Sequence, residues 1–315
     1  MLLANSSFTV GVFKKHLPTI TKTPRVVYPG IDAAQYRALS QTELAGDDVK
    51  LVLSQRPTLL SINRIEGKKN LGLAIRAFAG VKATGDFPTL RLIVAGGYDP
   101  RVHDSRKTLE SLLALCDSLK LSAAEVGQSG QSDNLDVLFL LNFSGVQRRA
   151  LLNATSTRAL LYTPTNEHFG IGPVEGMRVG LPVLACRSGG PMESVHDPDP
   201  LSRARDATGF LRGPNEGEWT RALLDILRMT EAERTAIGAR ARKRAEKLFG
   251  LDTLANGVAT ALHEAVDLGP LHASNTHELL FVVLLLAAVG SMTLAVWVFD
   301  KYQRTLAATP AAGRV

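Results

Sequence analysis

The stretch Asn166-Glu-His-Phe-Gly-Ile-Gly-Pro-Val-Glu175 decides the fold class of this chain. It follows an apolar run at 158–162 that is typical of a buried strand, and it precedes a second such run at 182–186. Pro173 suits the first turn of a helix, where a backbone N–H is not needed. The sequence therefore predicts a strand, a loop, a helix and a further strand, with one glutamate in the loop and one on the helix.

The same alternation of strands and helices runs through most of the chain. The predicted strands cover 25–28, 58–62, 90–95, 137–140, 158–162 and 182–186, and the predicted helices cover about 71–82, 109–119 and 147–152, with one more after each of the last two strands. Residues 215–266 have the pattern of two or three consecutive helices. Such βαβ units predict a Rossmann-like α/β fold, a parallel sheet with helices on both faces.

The two glutamates of the opening stretch would lie where this fold binds ligands. Open α/β sheets take their ligands at the carboxyl ends of the strands, and Glu167 and Glu175 follow such an end. Unpaired backbone N–H groups at the helix start would face an anion. The sequence thus predicts an anion-binding edge of the sheet at this junction.

The spacing of Glu167 and Glu175 resembles the Glu-x7-Glu motif of the retaining GT-B glycosyltransferases of family 4. The amino-acid sequence at 160–177 and 180–194 is most similar to that of the mannosyltransferases of this family that build dolichol-linked N-glycan precursors. The resemblance covers about residues 1–265. It implies that residues 36–266 are the nucleotide-sugar donor domain, the C-terminal half of a GT-B fold. Residues 1–35 resemble a remnant of the N-terminal domain and the hinge, with most of the acceptor domain missing.

The resemblance also implies a diphosphate clamp. Arg64 and Lys69 match the Arg-x4-Lys signature of the family, with Lys68 as an adjacent competitor for the lysine role. An arginine offers a planar fork to phosphate oxygens, and a lysine offers a compact charge. Taken alone, these residues are equally typical of an ordinary charged surface loop.

The remaining donor-site residues follow from the same resemblance. Glu167 is expected near the donor sugar as the catalytic residue, where it would favour positive charge at the anomeric carbon, and Glu175 is expected to accept hydrogen bonds from the ribose. Backbone groups would bind the sugar and the distal phosphate. The other expected donor contacts are His168, Phe169, Gly170, Ile171, Gly189 and Gly190. Glu193 matches a GG-x2-E segment that borders the site, although a plain turn explains that segment as well.

Composition narrows the class of protein further. The chain has 315 residues, a net charge of +6 and two cysteines, Cys116 and Cys186, whose separation favours neither a disulfide framework nor a metal site. The basic segment 240–247 is interrupted by a glutamate and has no nucleic-acid-binding motif beside it, so a solvated helix face is the favoured interpretation. The sequence predicts no metal, no covalently bound cofactor and no nucleic-acid partner.

The C-terminal segment predicts a membrane anchor. Residues 279–299 contain no charged residue and are long enough to span a bilayer once. They follow a polar linker at 267–278 and precede a tail at 300–315. By resemblance, the partners would be GDP-mannose, a dolichol-linked oligosaccharide and other dolichol-pathway glycosyltransferases, at the endoplasmic reticulum membrane.

The side of the membrane is predicted in two ways that disagree. GDP-mannose is cytosolic, so the resemblance places the globular domain on the cytosolic face. Lys301, Arg304 and Arg314 follow the apolar segment. By the positive-inside rule these charges would place the C-terminal tail in the cytosol and the globular domain on the opposite side of the membrane. We take the cytosolic face for the domain, because large domains translocate largely regardless of local charge.

Two other functions are compatible with the sequence. A chain without an acceptor domain would suit a non-catalytic nucleotide-sugar-binding or scaffold subunit of a glycosylation complex. The other is a different lipid-linked glycosyltransferase of family 4 that uses a UDP-sugar, which the amino-acid sequence at 167–175 disfavours. The chain has neither a GxGxxG fingerprint nor a P-loop, which disfavours other classes of nucleotide-binding protein.

Overall fold

The computed structural model describes residues 1–126, 134–197, 206–269 and 275–307. Within them, seven parallel strands form one sheet in the order β5-β6-β4-β3-β7-β8-β9. The strands are β3 (Thr58–Ile62), β4 (Arg91–Gly96), β5 (Ala123–Glu125), β6 (Val137–Leu141), β7 (Thr157–Tyr162), β8 (Val183–Cys186) and β9 (Phe210–Arg212). Two short strands, β1 (Leu3–Ala4) and β2 (Arg25–Val26), pair in a separate parallel sheet. The predicted α/β class is confirmed.

Helices connect the strands. They are α1 (Ser7–His16), α2 (Gln41–Leu44), α3 (Asp47–Lys50), α4 (Leu71–Ala83), α5 (His103–Ser118), α6 (Gly145–Asn153), α7 (Ile171–Val179), α8 (Pro191–Ser194), α9 (Glu216–Leu227), α10 (Glu231–Phe249), α11 (Leu251–Asp267) and α12 (Asn275–Ala307). Two 3₁₀ turns cover Ala33–Tyr36 and Gly67–Lys69. Pro173 lies in the first turn of α7, as its type of residue predicts.

Helices cover both faces of the large sheet. Apolar side chains of α4, α5 and α9 pack with alternate strand residues such as Leu59 on one face. Side chains of α6, α7 and α10 pack with the intervening residues, such as Leu60, on the other. Because successive strand side chains point to opposite faces, strands buried on both sides are mostly apolar along their whole length. Burial of each large apolar side chain stabilises the fold by about 1.5–3 kcal/mol.

The direction of the chain across the sheet reverses at β3. After β3 the chain builds β4, β5 and β6 on one side, and β7 then returns to the other side of β3. The loops that follow β3 and β7 therefore diverge and leave a crevice at the carboxyl ends of these strands. Such a switch point is the usual ligand site of an open α/β sheet.

Some elements differ from the sequence-based expectation. The strand predicted at 25–28 is only Arg25–Val26, and it pairs with β1 outside the main sheet. The short edge strands β5 and β9 were not predicted, because three residues are too few for a periodic pattern. The helices at 215–266 number three among the described residues, and Thr230 and Glu233 form a reciprocal capping box at the start of α10.

Residues from Leu262 onward form a second compact unit. Within it, α12 contains a 21-residue window, Phe281–Lys301, that is long and apolar enough to cross a membrane. This window overlaps the predicted span at 279–299 and extends two residues further. Length and composition alone make it a candidate membrane helix.

Candidate functional site

The loops after β3 and β7 bring a cation and a carboxylate together in the crevice. Lys69 ends the 3₁₀ turn after β3, and its Nζ lies 2.5 Å from Oε1 of Glu167 in the loop after β7. The two side chains are 10% and 25% exposed, respectively. The Thr163 hydroxyl donates to the Lys69 carbonyl at 2.6 Å, which ties the two loops together beside the ion pair.

Arg64 and Lys68 lie at the surface of the same turn. The Arg64 Nη1 is 2.7 Å from Glu66 Oε1, and the Lys68 Nζ is 3.3 Å from Glu66 Oε2. Their side chains are 63% and 65% exposed. Of the two adjacent lysines, Lys69 is therefore the one that faces Glu167. Arg64 is free to turn on its exposed side chain, since a surface ion pair of this kind is weak.

Gly96 allows the loops after β3 and β4 to touch. A Cβ on Gly96 would lie 1.8 Å from the Asn63 carbonyl oxygen, so any side chain there would separate the two loops. Asn63 is buried, and its Nδ2 has no hydrogen-bond partner within the described part of the chain. The structure thus gives Gly96 a packing role between these two loops.

Glu175 lies inside the protein, on the first turns of α7, and is 4% exposed. Its Oε1 accepts a hydrogen bond of 2.7 Å from the Tyr36 hydroxyl and also contacts Nη2 of Arg148. Burial is the main cause that raises the pKa of Tyr36, so the phenol keeps its proton and donates. Arg148 neutralises the buried carboxylate, as a buried charge requires.

Sequence reasoning missed Tyr36 and Arg148 as partners of Glu175. Tyr36 is 139 positions away, and neither residue belongs to a recognisable motif. A cavity of about 470 Å³ opens beside this cluster, between the first 3₁₀ turn and α6. Its lining comprises Ala34, Gln35, Tyr36, Gly145, Val146, Arg148, Arg149 and Leu152.

The loop between Glu167 and α7 is held mainly through its backbone. His168 is exposed, and its carbonyl oxygen accepts hydrogen bonds from the hydroxyls of Ser6 and, at 3.4 Å, Thr9. The side chain of Phe169 is buried between the rings of Tyr28 and Phe249. Of the predicted donor contacts here, Phe169 can thus offer a ligand only its backbone.

The end of this loop turns sharply into α7. Gly170 has a φ of +78°, a left-handed conformation that favours glycine, and a Cβ there would lie 2.9 Å from the Tyr162 hydroxyl. Ile171 begins the helix and is largely exposed. Burial raises the pKa of Tyr162, and the nearby charge of Glu167 raises it further. The loop therefore rests on a neutral phenol.

Gly189 and Gly190 form the floor under the Glu167 loop. The Gly190 N–H donates to the Glu167 carbonyl at 2.8 Å. A Cβ on Gly189 would lie 2.4 Å from the Glu167 carbonyl oxygen, and one on Gly190 would lie 2.1 Å from that of Phe169. The predicted donor-binding glycines thus pack against the backbone of the loop that carries Glu167.

These contacts form two polar groups near the junction of β7 and α7. Lys69 and Glu167 lie after neighbouring strands, and the buried Glu175 cluster lies on the helix that follows Glu167. Among the described residues, no group of three or more His, Cys, Asp or Glu side chains is arranged to hold a metal ion. The chemistry available on this chain is fixed cations for a phosphate and carboxylates for hydroxyl groups.

Comparison with known proteins identifies the family of this chain. The family model for glycosyl transferases group 1 matches residues 47–244, which is more than half of the chain and includes every predicted donor-site residue. This chain belongs to that family.

Curated relatives give a finer likeness. The chain is 34% identical over 301 residues to the α-1,3/1,6-mannosyltransferase ALG2 of Rhizomucor pusillus, a match that covers 92% of this chain and 62% of the relative. Its identity to the protein of the same name from Candida glabrata is 32%, with coverage of 95% and 64%, and to that from Homo sapiens 34%, with coverage of 79% and 54%. The chain thus spans less than two thirds of the length of these relatives.

Solved structures support the fold. The Alr3699/HepE protein of Anabaena, solved in complex with UDP and glucose, matches with a TM-score of 0.65 at 21% identity, over 84% of this chain and 62% of that one. A sucrose-phosphate synthase from Thermosynechococcus elongatus matches with a TM-score of 0.66 at 18% identity, over 85% and 58%. At these identities the likeness concerns the fold alone.

Proposed function

We propose that this protein transfers mannose from GDP-mannose to a dolichol-diphosphate-linked oligosaccharide, forming α-1,3 and α-1,6 linkages with retention, in N-glycan precursor synthesis. The names of its curated relatives support the sugar and the linkages. The single structural observation that carries the proposal is the Lys69–Glu167 pair at the switch point of the sheet. In this proposal Lys69 would bind a phosphate, and Glu167 beside it would face the sugar.

Donor binding would exchange this ion pair for contacts with the ligand. The diphosphate of GDP-mannose would attract the Lys69 ammonium and the exposed Arg64 guanidinium, both of which follow β3. Glu167 would then be released toward the sugar. There its charge would favour the positive charge that develops at the anomeric carbon as the diphosphate leaves.

The Glu175 cluster would bind the nucleoside. Within the described part of the chain, the Tyr36 hydroxyl and the Arg148 guanidinium both contact Oε1 of this carboxylate. We assign the remaining oxygen to a ribose hydroxyl. Because Tyr36 and Arg148 fix the carboxylate, it would be oriented before the ligand arrives, which reduces the entropy lost on binding.

The proposed location is the endoplasmic reticulum membrane, with the globular unit on the cytosolic side. The apolar window in α12 supports attachment to a membrane. A membrane anchor would keep the enzyme close to its lipid-linked acceptor and raise the effective acceptor concentration. Extraction of the full chain from membranes by carbonate would contradict a spanning helix.

A second candidate function uses the same donor site: a nucleotide-sugar-binding subunit that performs no transfer itself. The two functions share the donor site and differ in turnover. A mannose-transfer assay with a dolichol-linked acceptor separates them, because only the enzyme elongates the acceptor.

The donor site is tested by calorimetry on the full chain in detergent. We expect GDP and GDP-mannose to bind, and UDP and UDP-GlcNAc to bind at least about tenfold more weakly, a difference of about 1.4 kcal/mol. Preference for the uridine ligands would indicate a different donor. Absence of binding by all four to a folded sample would refute the site.

Adjacent lysines provide a matched pair of variants for the same experiment. Lys69→Ala removes the buried cation of the ion pair and should weaken GDP binding by about tenfold or more, in line with a charge-assisted hydrogen bond. Lys68→Ala removes the exposed cation directly before Lys69 and should change the affinity for GDP by less than about threefold. Equal losses from both variants would assign the effect to general charge rather than to a clamp.

A further inference from the structure

Glu193 occupies a position that the donor site does not explain. It lies on α8, three residues after the Gly190 that supports the Glu167 loop. Its carboxylate does not point toward Lys69 or Glu167 but accepts hydrogen bonds from the first turn of α1. The backbone N–H groups of Ser7 and Phe8 lie 2.8 Å and 2.7 Å from its two oxygens.

A third donor completes this contact. The Tyr28 hydroxyl donates to Oε2 of Glu193 at 3.0 Å. Burial raises the pKa of Tyr28, and the bond to Glu193 raises it further, so the phenol stays protonated and continues to donate. With three donors on one carboxylate, Glu193 has little capacity left for a ligand unless α1 is released.

The first turn of α1 also contacts the Glu167 loop directly. Ser6, the N-cap residue of α1, accepts from the Thr9 N–H, and its hydroxyl donates to the His168 carbonyl oxygen. The ring of Phe8 packs edge-on against the ring of His168, with the two ring centroids 6.1 Å apart. The residue after Glu167 is thereby held by the same turn that Glu193 holds.

These two routes enclose Glu167. One runs from α1 through Glu193 and α8 to the Gly190 N–H, which binds the Glu167 carbonyl. The other runs from α1 through Ser6 to His168. No side chain of α1 is fully buried, and its first turn provides the hydrogen bonds that connect this helix to Glu193 and to His168. A shift of the first turn of α1 would therefore move the groups that hydrogen-bond it, and with them the Glu167 loop.

We propose that Glu193 is a positioning residue that couples the N-terminal segment to the Glu167 loop, so that the placement of α1 sets the placement of Glu167. The coupling itself follows from the contacts, and its effect on sugar transfer rests on the proposed function. The residues that precede β2 then control the geometry of the site without touching the donor.

Hydrogen exchange on the full chain tests the coupling without any ligand. Glu193→Gln keeps the size of the side chain but replaces one acceptor oxygen with a donor amide, which faces other donors. Glu110→Gln, on the exposed face of α5, is the control for loss of a carboxylate. We expect exchange in Glu193→Gln to be faster by roughly tenfold at residues 7–8 and by about threefold or more at 166–171, since a hydrogen bond to a charged group is lost.

The same experiment can overturn the proposal. If residues 7–8 exchange faster while 166–171 remain at the wild-type rate, Glu193 only caps α1. Ser6→Ala removes the second route and leaves Glu193 in place, so it serves where Glu193→Gln does not fold. In the double variant, exchange at 166–171 should exceed the product of the single effects, because each route restrains what the other releases. Strictly independent effects would contradict a shared loop.

Kinetics separate positioning from general damage. We expect Glu193→Gln to keep its GDP affinity within about twofold, because the cations after β3 are untouched, while kcat for mannose transfer falls about tenfold. Equal losses in GDP affinity and kcat would indicate general destabilisation and overturn the positioning role. If the wild-type chain binds no GDP, the proposed function fails, and the exchange experiment still decides the coupling.

Discussion

Replacement of Gly190 by alanine tests how closely the backbone at Gly190 packs against the loop that carries Glu167. Gly190 has φ −57° and ψ −34°, which alanine adopts without strain. The added Cβ would nevertheless lie 2.1 Å from the carbonyl oxygen and 2.3 Å from the Cα of Phe169, whereas real Cβ contacts are not shorter than 3.0 Å. The two loops must separate by at least 0.9 Å, the difference between the first and last of these distances.

The expected cost follows from two opposing effects. Overpacking of this kind costs about 1–3 kcal/mol, and loss of glycine flexibility in the unfolded chain returns about 0.4–1 kcal/mol. Because the clashing atoms are backbone on both sides, no rotamer change relieves them, and the clash dominates. We expect a net loss of about 1–2 kcal/mol in the free energy of unfolding and a Tm lower by about 3–6 °C.

Function should be affected selectively. The displaced loop carries Glu167, so GDP-mannose should bind about tenfold more weakly, while GDP should retain its affinity within about threefold. Thermal unfolding and calorimetry on the same samples measure both effects. Gly11→Ala is the control, because Gly11 lies inside α1 with no atom within 4 Å of the added Cβ. A wild-type Tm and unchanged GDP-mannose affinity in Gly190→Ala would refute the argument.

Three further changes test the charges and thiols of the fold. Glu167→Gln frees the neighbouring lysine ammonium, so GDP should bind a few times more tightly while mannose transfer falls, and weaker GDP binding in calorimetry would contradict the exchange of partners. Glu175→Gln leaves Arg148 without its carboxylate, and we expect urea unfolding to show a loss of about 2–4 kcal/mol; an unchanged midpoint would show that the buried pair does not stabilise the fold. Burial raises the pKa of the thiols of Cys116 and Cys186 to about 12. At pH 8 the native protein should therefore react with a thiol reagent far more slowly than the urea-unfolded chain. Equal reaction rates would contradict the burial of the two thiols.

Pattern and motif were sufficient for the architecture. The strand Thr58–Ile62 has the bounds that its apolar run predicts, and the predicted helix at 71–82 corresponds to Leu71–Ala83. These elements are long and periodic, and local propensity agrees with burial in each. The elements that escaped prediction, such as β9, are short, and pairing with neighbouring strands rather than their own sequence makes them strands.

The proximity of the Lys69 and Glu167 loops was predictable in part. Spacing singles out both residues, and the parallel sheet predicts that the loops that carry them meet at one edge. Their direct contact, and the choice of Lys69 over Lys68, depend on the direction in which each side chain leaves a turn. The sequence has no periodic signal for that direction.

By itself, the sequence determined the α/β class and the order of the longer elements, because these depend on local patterns of burial. Only the tertiary structure decided that Glu175 is fixed by Tyr36 and Arg148, and that Glu193 faces α1 instead of the donor crevice. The physical reason is that such partners come from distant parts of the chain. Their distances are set by how the loops pack, and packing is a property of the whole fold.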